Sequence, residues 1–126
     1  MENLYELLEE AVHKVPTKGI VIVNNSQCDL FLTYSELREK SKKIAFILKS
    51  YYQVKPASKI IISVEKSEDF ILLFWGCVMA GCIPVLMPSV QFSNKNSIAF
   101  ERLKNAINIL GVVTLITNDI NLFVMT

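Results

Sequence analysis

From Phe70 to Pro88 the chain reads FILLFWGCVMAGCIPVLMP, with no charged residue from end to end. The segment Phe70 to Ala80 predicts a buried helix. Its large apolar side chains alternate with small Gly76, Cys77 and Ala80, which let another layer approach closely. Gly81 ends that helix. Cys82 to Met87 then forms a short apolar run that reads as a strand covered on both faces, as in a parallel sheet. Pro84 has no N–H for a ladder, so the strand either begins there or lies at an edge of its sheet.

The same patterning on either side predicts the remaining elements. Glu2 to Val15 sets Leu4, Leu7, Leu8, Ala11, Val12 and Val15 on one helical face and Glu6, Glu9, Glu10 and Lys14 on the other, and Pro16 ends it. Lys18 to Asn24 and Leu30 to Thr33 are β-prone runs separated by turn residues, a predicted hairpin. Thr33-Tyr34-Ser35-Glu36 is a capping box, in which the Thr33 hydroxyl and the Glu36 carboxylate each satisfy a backbone N–H at a helix start. The helix that follows runs to about Tyr52, with Leu37, Ser41, Ile44, Ala45, Leu48 and Tyr52 inward; its charged residues form a solvated face. Lys59 to Val64, K-I-I-I-S-V, is the mark of a central strand. Glu65 to Asp69 reads as a polar loop and cap, and Ser89 to Asn96 as a loop. Ser97 to Leu110 is an amphipathic helix with Ile98, Leu103, Ala106, Ile107 and Leu110 inward, stopped by Gly111. Val112 to Ile116 is a further buried strand, and Thr117 to Asp119 restarts a helix.

Strands alternating with helices predict the α/β class: a mostly parallel sheet with right-handed crossovers and helices on both faces. The apolar stretch raises a competing reading, because about 20 apolar residues span a bilayer. Gly81, Pro84 and the abrupt polar flanks favour a helix-turn-strand unit over a membrane span.

At 126 residues the chain has room for one domain or a piece of one. Apolar residues at 52%, with a mean hydropathy of +0.38, are rich for a free-standing domain of this size and imply that something else covers part of the apolar surface. The net charge of +1 comes from scattered basic residues, so no nucleic-acid footprint is expected. Cys28, Cys77 and Cys82 form no CxxC and read as small buried hydrophobes of a reducing compartment. The acidic N-terminal helix is unlike a signal or transit peptide, so a cytoplasmic location is expected. His13, the one histidine, reads as a solvated helix residue.

Chemistry-bearing motifs are sparse. Gly76 and Gly81 have a P-loop gap, but Cys82 and Ile83 stand where Lys and Ser or Thr belong. GxGxxG, HExxH, GxSxG and paired acidic metal motifs do not occur, so no catalytic, cofactor-binding or metal residue is assigned.

Two blocks together carry a resemblance. Leu32-Thr33-Tyr34-Ser35-Glu36-Leu37, followed after a helix and a strand by Phe74 to Val85 with Ala80, Gly81 and Pro84 or Pro88, resembles the first two core motifs of the adenylate-forming ligases. That superfamily includes acyl-CoA synthetases, fatty acyl-AMP ligases, luciferases and adenylation domains of nonribosomal peptide synthetases. The tail from Glu101 to Asp119 resembles the fatty acyl-AMP ligase branch and the loading domains of hybrid polyketide and peptide synthetases.

The resemblance implies activation of a carboxylic acid by ATP with Mg²⁺, giving an acyl-adenylate that a thiol of CoA or of a carrier-protein pantetheine takes up. It matches the N-terminal subdomain over residues 1–126. The phosphate loop, the adenine and ribose motifs and the catalytic lysine of the family would lie beyond Thr126, and the apolar Leu122 to Met125 segment at the end of the chain agrees with truncation. The fragment is then expected to be inactive alone, to bind neither ATP nor Mg²⁺ by itself, to pack against the remainder of the adenylation domain and to self-associate without it. Thr33, Glu36, Gly81, Pro84 and Pro88 are scaffold positions. The alternative is a non-catalytic adenylation-like α/β module that binds a protein partner through its uncovered apolar face.

Overall fold

The computed structural model describes residues 4–23, 29–87, 98–111 and 114–117. Helix α1 (Leu4–Lys14) precedes strands β1 (Gly19–Ile22) and β2 (Leu30–Thr33), then helix α2 (Tyr34–Phe46), which continues as one π-helical segment, Ile47–Tyr51. Strand β3 (Lys59–Ser63), helix α3 (Ser67–Met79), strand β4 (Ile83–Leu86), helix α4 (Ile98–Leu110) and strand β5 (Thr114–Thr117) complete the described order.

The two β-prone runs form the predicted antiparallel hairpin, Ile22 opposite Leu30 and Gly19 opposite Thr33, as a two-stranded sheet of its own. The other three strands form a parallel sheet in the order β4-β3-β5, with Ile61 opposite Val85 on one side and Leu115 on the other. The K-I-I-I-S-V run is therefore the central strand, and Ile60, Ile61 and Ile62 are fully buried.

Alternation along β3 divides the core. Ile60 and Ile62 pack with Ala45 and Leu48 of the α2 region and with Cys77 and Ala80 at the end of α3. Ile61 points the other way, into Leu103 of α4 and Leu115 of β5. Helices thus cover both faces, as the strand-helix alternation requires. The small residues of the apolar stretch act as anticipated at Gly76, where a Cβ would stand 2.4 Å from Ile44 Cγ2 and 3.5 Å from the Ser41 carbonyl oxygen. Nothing larger than hydrogen fits there without moving α2.

Helix ends follow their chemistry. The capping box of α2 is formed: the Glu36 N–H donates to Thr33 Oγ1 at 3.0 Å, and the Thr33 N–H donates to Glu36 Oε1 at 3.2 Å. At the end of α3, Gly81 adopts φ +77°. The Gly81 N–H then reaches the Val78 carbonyl at 3.1 Å and the Cys82 N–H reaches that of Cys77 at 2.9 Å, the double closure of a Schellman motif.

Several expectations are corrected. Helix α3 begins at Ser67 rather than Phe70, which puts Glu68 and Asp69 in its first turn, where carboxylates oppose the positive end of the helix dipole. Strand β4 is not covered on both faces: it is an edge among the described strands, and Ile83 and Leu86 are about half exposed. Pro84 is explained by that edge. Ile83 donates to the Ser58 carbonyl and Met87 to that of Ile62, so the alternation turns the Pro84 nitrogen away from β3, toward the open side.

Tyr52 is exposed rather than part of the buried stripe, because the wider π-helical turn, closed by Tyr52 N–H to the Ile47 carbonyl at 3.2 Å, rotates it out of register. Ile98, the first residue of α4, faces solvent, and Leu4, Leu7 and Val15 of the α1 stripe are only partly covered. Thr117 closes β5 instead of starting a helix. Cys28, Pro88, the Ser89 to Asn96 loop and the helix restart after Thr117 lie outside the described residues.

Candidate functional site

The sequence assigns no catalytic side chain, and the structure raises a different kind of site: surfaces that the fold leaves open. The first lies along β5. A cleft of about 230 Å³ opens between the π-helical end of α2, Leu73 of α3 and the strand, lined by Ile47, Leu48, Tyr52, Leu73, Leu115 and Ile116 among others. Its lining is almost wholly apolar. It adjoins a second opening of about 190 Å³ at the carboxyl ends of β3 and β5, where Val64, Asp69, Leu72 and Thr117 meet. Carboxyl ends of parallel strands are where α/β sheets place their ligands, but the nearest charged side chain here is a carboxylate.

At the opposite edge of the sheet, Phe70, Ile71, Phe74, Trp75 and Leu86 line a groove of about 230 Å³ against β4, with the Phe74 and Trp75 rings edge to face at 5.5 Å. The two sheet edges differ. Pro84 removes a donor from the β4 edge, which discourages a further strand there, whereas Thr114 to Thr117 on β5 contain no proline.

A fourth opening, of about 290 Å³, lies among the helices. Tyr5 of α1, Lys42 and Phe46 of α2, Lys49 of the π-helical segment and Met79 of α3 surround it. Beside it, Arg38 Nε donates to Glu9 Oε1 at 2.6 Å and ties α2 to α1. Burial by itself would raise the Glu9 pKa, but hydrogen bonds from Arg38 and Tyr5 outweigh it and hold the carboxyl below its usual range. The same neighbourhood raises the Tyr5 phenol, first through burial and then through Glu9.

The scaffold positions occupy separate places. Thr33 and Glu36 cap α2, Gly81 closes α3 and Pro84 lies on β4; none of them lines the openings described above. Cys77 and Cys82 are buried free thiols, as their apolar setting predicts. Burial, assisted by the nearby Cys82, pushes the Cys77 thiol up to about 12, so it stays protonated and unreactive at neutral pH. His13 is exposed near the end of α1. Among the described residues no group of three His, Cys, Asp or Glu side chains converges as a metal site would require, and no helix is long and apolar enough to cross a membrane. The sequence reading overlooked Phe46. Its signal was present, an aromatic residue on the charged face of α2 with Lys42 before it and Lys49 after it.

These features define a class. The family model of AMP-binding enzymes matches residues 8–123, and the chain belongs to that family. It is 29% identical over 106 residues to the nonribosomal peptide synthetase pngA of Aspergillus terreus, a match covering 82% of this chain and 11% of that protein. It is 25% identical over 118 residues to the mitochondrial acyl-coenzyme A synthetase ACSM5 of Rattus norvegicus, covering 93% and 19% respectively.

Among solved structures, McyG A-PCP complexed with phenylalanyl-adenylate superimposes with a TM-score of 0.84 at 27% identity, over 94% of this chain and 21% of that one. A fatty acid AMP ligase from Legionella pneumophila superimposes at 0.77 with 21% identity, over 90% and 19%, a likeness of fold. The chain therefore spans between about a tenth and a fifth of the length of these relatives. The α/β architecture and the membership of the adenylate-forming superfamily read from the L-T-Y-S-E-L and A-G-C-I-P blocks both hold.

Proposed function

We propose that this chain is the N-terminal subdomain, residues 1–126, of a ligase that activates a carboxylic acid with ATP to an acyl-adenylate and delivers the acyl group to the thiol of CoA or of a carrier-protein pantetheine. The observation that carries the reading is the extended match to the AMP-binding family, joined to superposition on an adenylation structure at a TM-score of 0.84.

The described residues do not fit ATP and Mg²⁺ on their own. They bring together neither three metal-ligating side chains nor a glycine-rich turn with a following Lys. In this reading the phosphate, metal and adenine contacts come from the remainder of the ligase, and the part played by this subdomain is structural. Among the described strands β5 is an edge of the parallel sheet beside an apolar cleft, a surface suited to cover by the rest of the adenylation domain. Exposed alone, that surface favours self-association. A cytoplasmic setting fits two buried free cysteines.

The test begins with the intact mass of the native polypeptide that carries this sequence, set against the 14.3 kDa of these 126 residues. A mass several times larger, with acid-dependent exchange of pyrophosphate into ATP by the whole protein, supports the proposal. A native mass near 14.3 kDa, or a larger protein without exchange against any fatty, aryl or amino acid, overturns it and favours a non-catalytic module.

A further inference from the structure

The basic residues, scattered along most of the chain, are denser in one stretch than the sequence reading allowed. From Lys40 to Lys55 the sequence is KSKKIAFILKSYYQVK, with five lysines and no Asp or Glu, in a chain whose net charge is only +1. Among the described residues none of Lys40, Lys42, Lys43, Lys49 and Lys55 has an ion-pair partner, and Glu9, the carboxylate that feels the Lys42 charge, is already held by Arg38. Three aromatic residues stand exposed within this field: Phe46 at 70%, Tyr51 at 78% and Tyr52 at 52%.

We infer that the opening of about 290 Å³ among α1, α2 and α3 is a docking groove for an acidic amphipathic helix of a partner protein. Its floor is apolar, with Ala45 and Met79, and its walls are aromatic, with Tyr5 and Phe46. Methionine adapts its shape to an inserted side chain, and an exposed phenylalanine beside an apolar floor gains area only when something covers it. Lys42 and Lys49 lie on the α2 side of the groove about two helical turns apart, with Phe46 between them.

A helix laid along α2 repeats that spacing. Carboxylates at its positions i and i+7 would meet the two ammonium groups, and an aliphatic or aromatic residue at i+3 or i+4 would fill the floor, the helix-in-groove mode of recognition. A nucleic-acid strand or an anionic bilayer would engage Lys40, Lys43 and Lys55 as readily as the groove pair, and neither requires a concave apolar floor. The groove is separate from the β5 cleft, so the inference does not rest on the ligase reading.

The experiment uses the native polypeptide carrying this sequence and a fluorescent synthetic helix with Glu at i and i+7 and Leu at i+3 and i+4, followed by anisotropy. Binding is expected to weaken about tenfold in K42E/K49E and markedly less in K40E/K43E, which carries the same charge change outside the groove. A peptide with Lys in place of both Glu residues should recover affinity for K42E/K49E but not for wild type. Phe46→Ser should weaken the original peptide at unchanged charge. Equal losses in the two lysine pairs, no recovery on charge exchange, or no binding by wild type would overturn the inference. So would tighter binding of phosphatidylserine vesicles or of a single-stranded oligonucleotide, which would assign the basic field to a lipid or nucleic-acid surface.

Discussion

Gly76→Ala is a substitution whose sign depends on the neighbouring helix. In an isolated helix it would stabilise by about 1 kcal/mol, because alanine has the better helix propensity. In this fold the added methyl would stand 2.4 Å from Ile44 Cγ2 and 2.8 Å from Ile44 Cβ. The second of these atoms is fixed to the α2 backbone, so the helices must separate. Overpacking of this kind costs about 1–3 kcal/mol, and the balance is a loss of up to about 2 kcal/mol.

Ile44→Leu removes the Cγ2 branch at constant volume but keeps Cβ, so in that background Gly76→Ala should cost less than in wild type. Urea unfolding followed by fluorescence of Trp75, the only tryptophan and the residue beside Gly76, reads both effects. With a slope of about 1–3 kcal/mol per molar urea, a 1 kcal/mol change moves the midpoint by about 0.3–1 M. A higher midpoint for Gly76→Ala in the wild-type background, or the same shift in both backgrounds, would refute the close-approach argument.

Other perturbations follow from particular groups. Thr33→Ala removes the acceptor for the Glu36 N–H and should cost about 1 kcal/mol in the same urea assay. Ser41→Ala should raise stability by about 1 kcal/mol or more, because the Ser41 hydroxyl is fully buried and finds no hydrogen-bond partner among the described residues; thermal denaturation checks it. Gly81→Val should cost about 1–2 kcal/mol from the left-handed backbone alone, since nothing within 4 Å obstructs its Cβ.

The folded Glu9 carboxyl lies below its ordinary 4.5, so its contribution is present above that value and is lost as pH falls through the folded one. Glu9→Gln should therefore be less stable than wild type at neutral pH, and the two urea midpoints should converge on acidification. A gap that persists undiminished at pH 3 would count against the Arg38 pair as its source.

Much of the fold was legible because each signal was local. Thr33 and Glu36 announced a helix start, Gly81 and Gly111 announced helix ends, and a run of three isoleucines cannot be half solvated. What escaped was set by distance. Whether β4 lies inside or at the edge depends on strand order, which no window around Pro84 contains. The exposure of Tyr52 depends on a π-helical turn that leaves no mark in the apolar period. The groove at Phe46 needed Tyr5 and Met79 from two other helices, so its chain-local trace was one aromatic on a charged face.

The placement of β3 between two strands made later has a consequence for biosynthesis. Its partner Leu115 leaves the ribosome roughly fifty residues after Ile61, several seconds later at about 5–20 residues per second. During that interval β3 has at most one neighbour, and isoleucines buried in the finished sheet are available to other chains. Successful synthesis thus depends on how the nascent strand is shielded, and a circular permutant that emits β5 before β3 should aggregate less during translation while forming the same sheet.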